Sequence, residues 1–144
     1  MKKIIGILAL GLITMAFVVK SESPKEKEGE GIKFKSLSLE KAKAEALEND
    51  QLIFIDAHTS WCGPCKKMAA TSFKNTEVGE LYNEKFINLK IDCELDADGP
   101  EISRLYKVQA YPTLLIIDGT GKLIKQVVGF KSEDQLIALA NSVD

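Results

Sequence analysis

The chain has 144 residues, 45% of them hydrophobic, with a net charge of −2. That length suits one domain, and its core is large enough to fold without covalent staples. Three cysteines are too few for a disulfide scaffold and the wrong number for complete pairing. Lys2, Lys3 and Lys20 are the only charges in residues 1–21, so the remaining body lies near −5 and offers no basic footprint for nucleic acid.

Met1-Lys2-Lys3 precedes sixteen uncharged, mostly apolar residues, Ile4 to Val19. A basic start, an apolar stretch and small polar residues behind it read as a secretory signal over 1–21. The apolar stretch is also close to the lower limit of about 17 residues for a membrane span, so a retained N-terminal membrane anchor is the alternative. Either way the body is expected to be exported and periplasmic. Residues 22–31 contain no apolar side chain apart from Pro24 and the glycines, and read as a charged, flexible tether. The folded domain is expected over 32–144.

Leu39, Ala42, Ala46 and Leu47 recur at helical spacing behind Ser38, which predicts an amphipathic helix over 39–49. Leu52 to Ile55 reads as a buried strand. Next come His58 to Cys65, a helical segment from Lys66 to about Ala70, and a further helical stretch from Thr76 to Asn83. Phe86 to Asp92 reads as a second strand, and Glu101 to Tyr106 as a helix behind Gly99-Pro100. Thr113 to Ile117 is the third predicted strand. Asp118-Gly119-Thr120-Gly121 supplies turn chemistry leading into a fourth at 122–128. Ser132 and Gln135 form a capping box for a final helix that buries Leu136, Leu139, Ala140 and Val143. The order implies an α/β fold: a mixed central β-sheet with helices on both faces.

Cys62 and Cys65, with two residues between them, follow a buried strand at the mouth of a helix. The free N–H groups of a helix N-terminus stabilise a thiolate, and the thiolate is the nucleophile. Cys62 is therefore the expected attacking residue, with Cys65 one turn on as its resolving partner. Gly63 permits close approach, and Pro64 falls where a missing N–H is harmless. Competing readings are half of a zinc site, a purely structural disulfide, and two incidental core cysteines. Zinc needs four ligands, and only Cys93 and His58 remain as soft candidates; no metal and no other cofactor is expected.

Trp61-Cys62-Gly63-Pro64-Cys65-Lys66 resembles the active-site hexapeptide of the thioredoxin family. Asp56, six residues before Cys62, falls where that family buries an aspartate, and Tyr111-Pro112-Thr113 where it keeps a cis-proline. Val128-Gly129 fits its apolar docking surface. Thr71 to Val78, with Pro112-Thr113 and Asp118-Gly119, is similar to the C-terminal periplasmic domain of the transmembrane disulfide reductase of the Dsb system. The resemblance runs from about Leu37 to the C-terminus. It departs at His58, where the family has an aromatic residue, and at Asn88, where it commonly has a lysine; Lys90 lies two residues on, on the same strand face.

The resemblance implies a thioredoxin-like fold and an exported thiol–disulfide oxidoreductase with a redox-active Cys62–Cys65 disulfide. Asp56, if buried, would have a raised pKa and take the proton of Cys65; a wet strand-end acid is the plainer alternative. Trp61, Gly63, Pro64, Tyr111, Pro112 and Gly129 are the expected substrate-binding residues, with the Tyr111 backbone pairing an extended substrate. An imidazolium at His58 would lower the Cys62 pKa, against a plain surface or packing histidine. Cys93 reads as a buried small hydrophobe. The Cys-Gly-Pro-Cys sequence implies a reductase, with a potential near about −270 mV. Its expected partners are disulfide-containing exported proteins and a membrane thiol electron donor, and the protein is expected to be a monomer. An oxidase or isomerase of the same fold, or a non-catalytic substrate-binding module, is the alternative.

Overall fold

The computed structural model describes residues 30–143, so the segment read as signal or anchor and residues 22–29 of the tether lie outside it. Four strands form one sheet in the order β2-β1-β3-β4, with β1 Leu52–His58, β2 Phe86–Asp92, β3 Thr113–Ile117 and β4 Leu123–Val128. β1 runs parallel to β2 and antiparallel to β3, which runs antiparallel to β4. The helices are α1 Leu39–Asn49, α2 Gly63–Ala70, α3 Thr76–Lys85, α4 Gly99–Leu105 and α5 Glu133–Asn141. A short 3-10 turn at Ser72–Lys74 joins α2 to α3; no sequence signal marked it.

β1 is central because nearly every residue in it is buried, polar Asp56 included. Side chains alternate between faces along a strand, so Ile53 and Ile55 pack with α1 and α4, through Leu39, Ala42, Ala46 and Ile102. Phe54 points to the other face, into a cluster with Met68 of α2, Val78 and Tyr82 of α3, and Leu136, Leu139 and Ala140 of α5. Helices thus cover both sides of the sheet. Leu47, counted in the apolar stripe of α1, is instead 63% exposed and flanks Gly119 of the β3–β4 turn. The helix is narrower in its buried face than the pattern implied.

The domain begins with a docked arm. Gly31, the last residue read as tether, lies so close to Phe73 that a Cβ there would come within 2.1 Å of its carbonyl oxygen. Asn83 clamps the arm, accepting the Lys33 N–H at 2.8 Å and donating to the Gly31 carbonyl at 3.1 Å. The Lys35 N–H donates to the Asn88 carbonyl at 2.8 Å, so the arm runs beside β2. Phe34 then packs edge-on against Phe73, with ring centroids 5.3 Å apart.

Candidate active site: a disulfide at the mouth of a helix

β1 ends at His58, and the chain turns through Thr59 and Ser60 into α2. Cys62 is the N-cap of that helix, and its Sγ accepts the backbone N–H of Cys65 at 3.2 Å. Pro64 occupies the first turn, where no N–H is needed. Cys62 and Cys65 are joined as a disulfide, with Cα atoms 5.3 Å apart and both residues buried. When that bond is reduced, the N–H that meets Sγ of Cys62 becomes a donor to a thiolate, together with the positive end of the helix. Among the described residues no group of three or more His, Cys, Asp and Glu side chains could hold a metal ion.

A Cβ on Gly63 would meet no atom within 4 Å. The chain itself therefore does not demand glycine there, and the space opens outward. Trp61 stands 63% exposed beside the disulfide. Its ring meets Tyr111 edge-on at 6.0 Å, and its indole N–H donates to Glu94 Oε2 at 3.0 Å. The Tyr111–Pro112 peptide bond is cis. The Pro112 carbonyl accepts the N–H of Gly129 at 2.8 Å, which ties the two loops together. Gly129 has φ +86°, a conformation that suits glycine, and Val128 beside it is 52% exposed. Trp61, Tyr111, Pro112 and Gly129 thus form one continuous rim.

Asp56 lies beneath. It shares strand parity with Phe54, hence the face covered by α2, and it is fully buried. Phe54 and Met68 belong to one cluster. Two residues up β1 is about 6.6 Å, and three residues back along α2 is about 4.5 Å. Both steps lead towards the C-terminal end of β1, so Asp56 lies on the face that α2 covers and towards the end of the sheet where Cys65 sits. Across the parallel ladder Asp56 pairs with Lys90, whose Nζ is 3.6 Å from Oδ2, an ion pair longer than a hydrogen bond. Neither carboxylate oxygen has a hydrogen-bond partner. Burial pushes the Asp56 carboxyl above its ordinary value, while Lys90 and then His58 pull it partly back. The wet strand-end reading of Asp56 is therefore excluded.

The lysine that tunes this carboxylate is thus Lys90 and not a residue at 88. Asn88 spends its amide on α3 instead, donating to the Tyr82 carbonyl at 3.2 Å and to Asn83 Oδ1 at 3.3 Å. His58 is half-buried, and its carbonyl accepts the N–H of Cys93 at 2.8 Å. Cys93 is a buried free thiol, and burial raises its pKa. Sequence reasoning missed Glu94: a lone acid in a polar turn carries no local signal of a tryptophan 33 positions away.

A two-cysteine redox pair at a helix N-terminus, with a buried acid below and an open rim above, defines a thiol–disulfide oxidoreductase on a mixed α/β fold. The chain belongs to the thioredoxin-like family: the family model described as a thioredoxin-like domain matches residues 39–144. A solved structure of a protein proposed to be a disulphide-isomerase, from Bacteroides thetaiotaomicron, is 37% identical with a TM-score of 0.69, covering 81% of this chain and 98% of that one. The thioredoxin of Alicyclobacillus acidocaldarius is 29% identical over 94 residues, 65% of this chain and 83% of the relative. Chloroplastic thioredoxin F2 of Arabidopsis thaliana is 34% identical over 90 residues, 62% of this chain, and the match spans only 45% of that longer protein. The DsbH oxidoreductase shares the fold, with a TM-score of 0.69 at 18% identity.

Proposed function

We propose that this protein is an exported reductase, passing two electrons from Cys62 and Cys65 to disulfides in other exported proteins. The observation that carries the chemistry is the Cys62–Cys65 disulfide at the N-terminus of α2, with Asp56 buried in the neighbouring strand β1. In the reduced protein the Cys62 thiolate attacks a substrate disulfide, forming a mixed disulfide and releasing the first substrate thiol. Cys65 gives its proton to Asp56 and attacks Cys62 Sγ, so the intramolecular disulfide forms and the second substrate thiol leaves. Desolvation raises the proton affinity of Asp56, which suits it to that transfer.

Export rests on the sequence of residues 1–21, whose basic start and apolar stretch suit a signal or an N-terminal anchor. An exporting compartment is oxidising, so a reductase there needs a membrane thiol partner to re-reduce it. The Bacteroides relative's description as an isomerase favours a second reading, in which the same pair rearranges substrate disulfides. A potential near about −270 mV supports the reductase, and one above about −150 mV supports an oxidising role instead. Trapping tests the partners. Cys65→Ser leaves the mixed disulfide on Cys62 unresolved, and the full chain is expected to capture exported proteins and a membrane thiol protein. Capture of cytosolic proteins alone would overturn export, and turnover that survives Cys62→Ser would overturn the chemistry.

A further inference from the structure

The last residue of β2 and the turn from it to α4 carry four acids, Asp92, Glu94, Asp96 and Asp98, and three of them are committed to holding the backbone. Asp92 is buried, and its Oδ1 accepts the N–H groups of Glu94 at 3.0 Å and Leu95 at 3.1 Å. Asp96 Oδ2 accepts the Asp92 N–H at 2.7 Å. Asp98 Oδ2 accepts the N–H of Leu39, also at 2.7 Å. Glu94 is different. Its side chain is exposed and reaches across to Trp61, which places its carboxylate at the rim. Leu95, next to it, is 73% exposed. Two residues beyond Gly129, the Lys131 ammonium is engaged by the carbonyls of Val128 at 2.7 Å and Phe130 at 3.5 Å. Lys67 sits over the Phe130 ring at 4.9 Å.

We propose that Glu94 is a specificity-determining residue that holds Trp61 in the rim beside the disulfide and gives that rim a negative charge, so that disulfides flanked by lysine or arginine are preferred. The inference rests on the reading above that Cys62 attacks disulfides of other proteins. One oxygen of the carboxylate is spent on the indole N–H, and a carboxylate has further acceptor sites for a cation. An exposed ion pair supplies about a two- to five-fold preference and weakens with salt.

The test uses two synthetic disulfide-linked peptide dimers, identical except that lysine or glutamate flanks the cysteine, and the full chain as wild type, Glu94→Gln and Glu94→Ala. Glutamine keeps a carbonyl acceptor for the indole and loses the charge; alanine loses both. Dividing the lysine-to-glutamate ratio of kcat/KM for wild type by that for Glu94→Gln cancels the intrinsic reactivity of the two disulfides. The expected quotient is about two to five at low salt, falling towards one in high salt. Trp61 is the only tryptophan, so its fluorescence reports the rim directly, with wild-type emission kept in Glu94→Gln and altered in Glu94→Ala. A quotient of one, or unchanged emission in Glu94→Ala, overturns the inference while leaving the reductase standing. Failure of the wild type to reduce either peptide overturns the reductase itself.

Discussion

Replacing Asp56 with alanine should make this protein more stable at neutral pH and a slower catalyst. The carboxylate is fully buried, neither oxygen is hydrogen-bonded, and the cation paired with it, Lys90, stands 3.6 Å away and is itself 30% exposed. Burial raises its folded pKa above the ordinary 3.8, and the unfolded chain returns it to that value. Between those two values the folded state holds the extra proton, so stability falls as pH rises through the window and stays low above it. Each unit of displacement is worth about 1.4 kcal/mol. Lys90 is 30% exposed and stays hydrated when the carboxylate is removed, so losing the pair strands no buried charge. Urea unfolding of the oxidised protein at several pH values measures this. Asp56→Ala should gain on that scale at pH 7, with the gain shrinking as pH falls towards 4, while reduction of a protein disulfide at pH 7 slows. A stability difference independent of pH would refute the desolvation argument, and equal turnover would remove Asp56 from the proton transfer.

Two further outcomes follow from the same geometry. Lys90→Met withdraws the cation that favours ionised Asp56, so the acidic limb of the pH–rate profile should move to higher pH. Lys90→Arg should restore it, and an unmoved limb in Lys90→Met would show that Lys90 is a bystander. Gly79→Ala tests the docked arm. Helix propensity alone predicts a gain of about 1 kcal/mol in α3, but the new Cβ would lie 2.3 Å from the Glu30 carbonyl oxygen and 2.6 Å from the Gly31 carbonyl carbon. The arm should be displaced and the amide of Ile32, which donates to the Phe73 carbonyl at 2.8 Å, lose protection in hydrogen exchange; a stabilised protein with that amide still protected would contradict the docking.

Much of this architecture was readable from local pattern. α1, β2 and β3 begin and end where spacing and turn residues placed them, because caps and apolar runs are short-range signals. The capping box of α5 is present, with the Ser132 N–H donating to Gln135 Oε1 at 3.0 Å and the Gln135 N–H to Ser132 Oγ at 3.4 Å. The redox pair was legible because its chemistry needs two thiols at a fixed spacing on one helix turn. Long-range placements were harder. Asp56 and Lys90 meet through strand register, which parity hinted at without deciding. Glu94 reaches Trp61, and Gly31 reaches Phe73, across folds of the chain that leave no periodicity in either segment. Leu47 misled because an apolar residue at helical spacing need not be buried when the partner element is a turn.

Everything in the mechanism depends on Cys62 being the ionised thiol of the reduced pair. The direct measurement is the pH dependence of alkylation of each cysteine in the reduced protein, read by mass spectrometry. The N-cap position and the Cys65 N–H predict that Cys62 reacts first, with a pKa below the ordinary value of about 8.5, and that Cys65 stays slow until higher pH. Preferential labelling of Cys65, or a Cys62 pKa at or above that ordinary value, would contradict the account.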